Sequence, residues 1–217
     1  MKTKLLKNSV KEIKDTLKRF ISILLMSFLG VGFFSGLVAC GPDMREAIDT
    51  YYDASNTYDI VITSTLGLTD EDIKAIQNLD KSYNVYGVNS VDKEITIKEE
   101  KFNAKFIELK SEINDIDLVS GKRPENDNEC VLDSQFAKRN KYEIGNKIKT
   151  EENEYEVVGL AKSPLYITST RGTTNIGTGT INCFIYINKI EQDYYTNIYV
   201  TSEKARDDQT SSNEYNK

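Results

Sequence analysis

The 217-residue sequence contains no histidine, no tryptophan, three cysteines and three prolines. Without histidine, the chain cannot by itself build a Ser-His-Asp triad, a Cys-His dyad or a zinc site with imidazole ligands. Much of hydrolase and zinc-enzyme chemistry is therefore excluded within this chain, and no catalytic residues are predicted.

The acidic residues and glycines give no cofactor or metal pattern. The run Asp70-Glu71-Asp72 is typical of a solvated acidic surface, and the EF-hand spacing of acids, a glycine and a closing glutamate is missing. The gap between Gly172 and Gly177 matches a Walker A loop, but Thr178 stands where the phosphate-binding lysine would be. The threonine-rich segment Thr168–Thr180 is instead interpreted as a mobile or partner-facing surface loop.

Charge is divided among three segments. Residues 1–19 carry seven basic and two acidic groups, a net charge of +5, and residues 20–42 carry none. Residues 43–217 carry 21 basic and 32 acidic groups, a net charge of -11. This acidic balance disfavours nucleic-acid binding, because the segment would repel phosphates.

The charge-free segment predicts a transmembrane helix. As an α-helix, Phe20–Cys40 would extend roughly 31 Å, close to the hydrocarbon thickness of a bilayer. The basic residues before it predict a cytoplasmic N-terminus and an extracytoplasmic main domain. The predicted divisions are a cytoplasmic amphipathic segment (1–19), a transmembrane helix (20–41), an extracytoplasmic domain (42–200) and a polar tail (201–217).

The flank and the span carry further candidate features. Leu6, Val10, Ile13, Leu17 and Phe20 recur at helical spacing, which favours an interfacial helix with its lysines toward anionic lipid. The alternative is a solvated basic flank that only sets topology. Within the span, Gly32 and Gly36 form a small-xxx-small pair and are helix-packing candidates.

Cys40 offers an alternative mode of anchoring. Leu37-Val38-Ala39-Cys40-Gly41 has the form of a lipobox, so lipidation of Cys40 after cleavage is a competing interpretation. Signal peptides usually have apolar cores of about 7 to 15 residues and short basic caps, whereas both segments are longer here. A retained helix is therefore favoured.

The outer segment predicts a mixed α+β domain. A helix is expected to continue outward from Asp43 to Tyr52, a capped helix to follow Thr69, and another to fill Ser134–Lys141. Gly121 and Pro124 indicate a surface turn. The predicted strands are 58–63, 83–88, 94–98, 105–109, 130–133, 147–150, 155–160, 182–187 and 197–201.

Cys130 and Cys183 both fall in predicted strands of the outer domain. The extracytoplasmic compartment permits a disulfide between them, but isolated cysteines in strands are more often buried apolar residues. The sequence leaves the pairing open.

Several segments together resemble the FtsX-like ABC transporter permeases that carry a MacB-type core domain. The resemblance rests on Arg19–Met44, Tyr58–Ile73, Gly121-Lys122-Arg123-Pro124, Glu129–Asp133, Ser163–Ile187 and Tyr195–Val200. It implies an N-terminal part of a permease subunit without catalytic residues or cofactors. The implied partners are the lipid bilayer, a cytoplasmic ABC ATPase and the remaining permease helices or a second permease.

The sequence departs from that family in having one apolar span, where members carry at least four. A truncated gene, a gene fragment and a split subunit all fit. The alternative function is a single-pass or lipidated cell-surface binding or sensor module without transport activity. The substrate is not predicted, since antimicrobial peptides, lipids and lipoproteins all fit the family.

Overall fold

A computed structural model describes residues 17–202 of the chain. A long helix is followed by a strand-rich region with two short helices, which confirms the predicted α+β class. The chain divides into two compact units, Met1–Ile48 and Asp49–Lys217. Most of the predicted interfacial stripe and of the polar tail lies outside the described residues.

The first helix, α1, runs from Leu17 to Ala54. At about 1.5 Å per residue its 38 residues extend about 57 Å, and it is long and apolar enough to cross a membrane. The helix continues through Gly41 and Pro42, as the predicted outward extension requires. Pro42 has no N–H, so the carbonyl of Val38 lacks its usual helical donor.

The strand-rich region contains ten strands and two helices among the described residues. In chain order they are β1 (Ile60–Leu68), α2 (Asp70–Gln77), β2 (Tyr83–Val88), β3 (Ser90–Ile97), β4 (Glu100–Glu108), β5 (Asp117–Gly121), β6 (Glu129–Asp133), α3 (Ser134–Asn140), β7 (Lys147–Lys149), β8 (Glu154–Lys162), β9 (Cys183–Ile187) and β10 (Tyr195–Ser202).

Every predicted strand is present, and β5 is an additional strand that the sequence analysis did not identify. Gly121, interpreted there as a turn residue, ends β5 with a φ of +83°. A Cβ at this position would lie 2.2 Å from the carbonyl oxygen of Val158, so the close approach of β5 to β8 requires glycine.

Seven strands form a sheet that closes on itself. Their order is β5-β8-β6-β9-β4-β3-β7, and β7 pairs with β8 as well as with β3. The closure produces a small barrel of β8, β6, β9, β4, β3 and β7, with β5 attached alongside β8. Alternate residues of these strands face inward and fill the barrel. The buried interior residues on the strands are Ile95, Ile97, Ala104, Phe106, Cys130, Leu132, Ile148, Tyr155, Val157, Cys183, Ile185 and Ile187.

A second sheet has three antiparallel strands in the order β1-β10-β2. On one face, Ile73 and Ile76 of α2 pack against a small core that includes Ile198 and Val200. On the other, Tyr199 packs in a cluster with the outward-facing barrel residues Phe184 and Tyr186. The Tyr199 ring also stacks on Tyr58 with 4.9 Å between centroids.

Both outer-domain cysteines are free and buried. In the β6–β9 register, where Leu132 pairs with Ile185, Cys130 and Cys183 are offset by four residues. That offset corresponds to about 13 Å along the strands, beyond the Cα separation that a disulfide allows. Burial raises the pKa of the Cys130 thiol to about 12, and it also raises the pKa of Cys183 well above its usual value.

We therefore expect maleimide to leave Cys130 and Cys183 unmodified in the native full-length chain. After denaturation without reductant, intact-mass spectrometry should show two additional labels on the outer domain. A pair of outer-domain cysteines that resists labelling until a reductant is added would contradict this prediction.

Glu129 at the start of β6 fixes the turn that precedes it. Its carboxylate accepts hydrogen bonds from the backbone N–H groups of Glu125 (2.7 Å) and Asn126 (3.2 Å) and from Lys122 Nζ (3.2 Å). These bonds, led by the one from Glu125, lower the pKa of Glu129 from 4.5 to about 2.

Because the folded-state pKa is depressed, the contribution of Glu129 to stability is present above about pH 4.5 and is lost as the pH falls toward 2. We expect Glu129→Gln to reduce the loss of stability in this interval, as measured by chemical denaturation at several pH values. Glu151→Gln, on an exposed turn, is the control. An identical acid response of E129Q and the parent chain would contradict the assignment.

Candidate coupling site

Gly32, Gly36 and Cys40, the site residues predicted from the sequence, all lie on α1. Gly32 and Gly36 have no atom within 4 Å of the position that a Cβ would take, so this part of the helix surface has room for another helix. Cys40 is exposed, and its Sγ lies 3.7 Å from Sδ of Met44. Helix packing at the glycines and lipidation at Cys40 both stay predictions.

The last turns of α1 belong to the strand-rich unit, which begins at Asp49. The helix ends at Ala54, and Ser55 N–H donates to the carbonyl of Tyr51 at 3.1 Å. Asn56 follows with a φ of +46°, the left-handed conformation that often terminates a helix and that asparagine tolerates. The chain then turns into β1.

This turn is joined to the loop between β4 and β5. Asn114 N–H donates to the carbonyl of Asn56 at 3.0 Å, and Asp115 N–H donates to the carbonyl of Ser55 at 2.8 Å. In return, Asn114 Oδ1 accepts from the N–H of Tyr58 at 3.1 Å. We call residues 55–58 and 112–115 the junction, because their hydrogen bonds join the helix end to the domain.

The loop side of the junction is itself held in place. Ile113 and Ile116 are buried in the cluster between the two sheets, and Asp115 Oδ2 accepts from Arg123 Nη2 at 2.7 Å. Asn114 has a φ of +52°, a conformation that disfavours most side chains. A displacement of the helix end would therefore act on a loop that is packed into the core.

A second feature lies where β6 meets α3. Asp133 Oδ2 accepts from Arg171 Nε at 2.6 Å, and the two side chains are only 1% and 2% exposed. Asp133 Oδ1 also accepts from the N–H groups of Gln135 and Phe136, which caps α3. One carboxylate therefore joins a barrel strand, a helix and a loop.

Arg171 is surrounded by further partners. Its guanidinium donates to the carbonyl of Thr168 and, at 3.1 Å, to Gln135 Oε1. It lies 5.7 Å from the ring centroid of Tyr166 and 5.4 Å from that of Phe184, within the range of a cation–π interaction. These contacts fix the start of the threonine-rich segment to the barrel.

The end of the same segment is fixed by Asn103 on β4. Asn103 Nδ2 lies within hydrogen-bonding distance of the carbonyls of Ile176 (3.2 Å) and Thr180 (3.0 Å) and of Thr178 Oγ1 (3.1 Å). The segment Thr168–Thr180 is thus attached to the barrel at both ends.

The helix end and the buried ion pair meet at one small cavity of about 160 Å³, lined by Tyr51, Tyr166 and Arg171 among others. Partial burial, together with the nearby Asp117 carboxylate, raises the pKa of Tyr51 above its usual value. Tyr51 therefore stays a neutral hydroxyl at physiological pH. Within residues 17–202, no group of acidic and cysteine side chains is arranged to hold a metal ion.

No role was predicted from the sequence for Asn56, Asn114 or Arg171. An asparagine a few residues after a predicted helix is a recognisable helix-end signal, so Asn56 could have been found. Asn114 and Arg171 gain their roles from partners more than thirty residues away, which one sequence does not reveal.

Removal of either charge of the Asp133–Arg171 pair should lower the free energy of unfolding. Asp133→Asn retains a good helix cap but leaves the Arg171 guanidinium buried without its counter-charge. We expect this variant to lower the free energy of unfolding by about 3 to 5 kcal/mol. Urea denaturation followed by tyrosine fluorescence measures the change.

The matched control is Glu154→Gln, which removes the exposed pairs with Lys147 and Lys149 and should cost no more than about 1 kcal/mol. The double variant Asp133→Asn/Arg171→Met should recover part of the loss, because it no longer buries an unpaired cation. Equal, small effects of D133N and E154Q would contradict the role assigned to the buried pair.

Comparison with known proteins identifies related domains. A family model described as the MacB-like periplasmic core domain matches residues 21–214. No curated protein sequence matches this chain.

Many solved structures also match, among them three domains of transporter or permease proteins. The extracellular domain of the noncanonical ABC-type transporter YknZ from Gram-positive bacteria is 15% identical, with a TM-score of 0.42, covering 68% of this chain and 82% of that one. The periplasmic region of MacB from Actinobacillus actinomycetemcomitans is 16% identical, with a TM-score of 0.41 and coverage of 65% and 66%. A domain of a putative permease from Porphyromonas gingivalis is 12% identical, with a TM-score of 0.38 and coverage of 63% and 63%.

Proposed function

Because the chain belongs to the MacB-like periplasmic core domain family, whose members are components of ABC transporter permeases, we propose that it transmits ATPase-driven motion. In this proposal α1 crosses the membrane, with the N-terminus in the cytoplasm and the acidic domain outside. A cytoplasmic ABC ATPase moves the membrane helices, and the outer domain exports or repositions an envelope substrate. The chain itself supplies no catalytic group.

The observation that carries the proposal is the junction at the end of α1. A helix that only anchored a domain could be followed by a flexible linker. Here the two residues that follow Ala54 are bound to the domain: the carbonyls of Ser55 and Asn56 accept hydrogen bonds from the backbone N–H groups of Asp115 and Asn114. Such a connection passes displacement of the helix end to the loop between β4 and β5.

The partners in this proposal follow from topology and surface. The cytoplasmic residues before the span would face the ATPase, and the surface at Gly32 and Gly36 would pack against other permease helices. Recovery of a cytoplasmic ABC ATPase and a further permease polypeptide with the full-length chain would support these assignments. An acyl chain on Cys40, detected by mass spectrometry of the mature protein, would instead support the lipidated surface module.

The coupling itself is tested by cross-linking in the assembled complex. With Thr173→Cys on an exposed loop, the yield of cross-links between outer domains should change when ATP is added. Asn114→Ala removes one hydrogen bond and places alanine in a left-handed conformation, at a cost of roughly 2 kcal/mol at the junction. We expect it to reduce the ATP-dependent change while the ATPase still copurifies.

Asn175→Ala, on the exposed threonine-rich segment, is the matched control and should leave the ATP response unchanged. A complex that contains the ATPase but shows no ATP dependence in the parent chain would contradict coupling. An equal ATP response in N114A and N175A would contradict the role of the junction.

A further inference from the structure

The two ends of the barrel differ. Helix α3 covers the end where β3 stops and β4 starts: Phe136 packs edge-on against Phe102, with 5.1 Å between ring centroids, and Lys98 Nζ donates to the carbonyls of Asn140 and Lys141. At the other end, where β3 starts and β4 stops, no helix from the described residues 17–202 covers the barrel. It opens instead into a groove of about 530 Å³, a volume typical of small-molecule sites.

The floor of this groove is apolar. Val91 and Ile190 are half-buried there, and both pack on the barrel core. Beneath them lie the buried rings of Phe106 and Tyr155, with centroids 5.4 Å apart. A ligand in the groove would therefore place an apolar part against Val91 and Ile190.

The rim of the groove is predominantly acidic. Its charged residues are Asp127, Glu152, Glu154, Glu191, Lys93 and Lys189. Lys93 Nζ is already paired with Glu152 at 2.8 Å, and this pairing lowers the pKa of Glu152. Glu154 is paired with Lys147 (2.7 Å) and Lys149 (3.4 Å) outside the groove.

After these pairs are taken into account, two carboxylates remain against one cation. Asp127 and Glu191 make no ion pair among the described residues, and Lys189 is the remaining basic group of the rim. The domain around them has a net charge of -11 from residue 43 onward, so its field also attracts cations.

An unsatisfied acceptor lies in the same groove. Gln192 lines it, and Gln192 Oε1 is buried without a hydrogen-bond partner in the described part of the chain. A buried acceptor in this state is stabilised by a donor, and a ligand N–H in the groove can supply one once the Gln192 side chain turns toward it. The groove therefore offers hydrogen-bond acceptors, which are carboxylates and a side-chain carbonyl, above an apolar floor. It offers few hydrogen-bond donors.

We propose that the open end of the barrel is a binding site for an organic cation that joins an ammonium or guanidinium group to a small apolar body. The cation interacts with Asp127 and Glu191 and donates to Gln192 Oε1, while the apolar part covers Val91 and Ile190. Binding requires neither nucleotide nor partner subunits, so the site can be tested separately from the transport function proposed above.

The test uses the full-length chain in detergent micelles and a matched pair of dipeptide amides. Both compounds carry the same block on the N-terminus, so they differ only in one side chain. Phenylalanyl-arginine amide carries a guanidinium group, and phenylalanyl-citrulline amide carries a neutral isostere of that group. Calorimetric titration should detect the arginine compound, and higher salt should weaken its binding. The citrulline compound should bind about tenfold more weakly or not at all.

Variants locate the site. Asp127→Asn/Glu191→Gln should weaken binding of the arginine compound by about tenfold, and Gln192→Leu should weaken it to a smaller extent. Asp193→Asn, an exposed acid of the same loop that does not line the groove, is the control and should leave binding unchanged. Equal binding of the two compounds, equal effects of D193N and the double variant, or no binding at millimolar concentrations would overturn the proposal.

Discussion

The buried ion pair between Asp133 and Arg171 is the interaction on which the outer domain depends most. Both charges are almost completely removed from water, so each destabilises the fold unless the other is in place. Asp133 also caps α3, and α3 packs Phe136 into the covered end of the barrel. The position of Arg171 therefore bears on the strand, the cap and the barrel core together.

The same pair converts a polar segment into part of the barrel surface. The segment from Thr168 to Thr180 has little apolar content with which to hold itself against the domain. Arg171 and Asn103 supply buried hydrogen bonds in its place, and Tyr166 stacks on Phe184 with rings only 5° from parallel. The segment is accordingly held against the barrel at both ends.

The sequence predicted the elements better than it predicted the contacts between them. Short runs rich in β-branched and aromatic residues located the strands, and the charge-free run located the apolar helix. The starts of β3 and β4 were missed because charged residues there, such as Asp92 and Lys101, look like loop residues. In the hairpin, Asp92 pairs with Lys105 at 2.8 Å and Lys101 pairs with Glu94. Strand β5 was missed because Gly121 indicates a turn. The junction and the buried ion pair depend on long-range pairing, which no local pattern encodes.

If α1 transmits motion as proposed, the helix itself limits the coupling more than its junction does. At the outer end, Asn56 and Asn114 are held by backbone hydrogen bonds and by the buried Ile113 beside them. Further back, Pro42 removes one hydrogen bond from the ladder where the apolar run stops, and proline is the commonest site of helix bending. A force applied along the helix acts on the remaining backbone hydrogen bonds of α1. A sideways force instead bends the helix near Pro42. In the proposed coupling, α1 would therefore transmit axial displacement better than tilt.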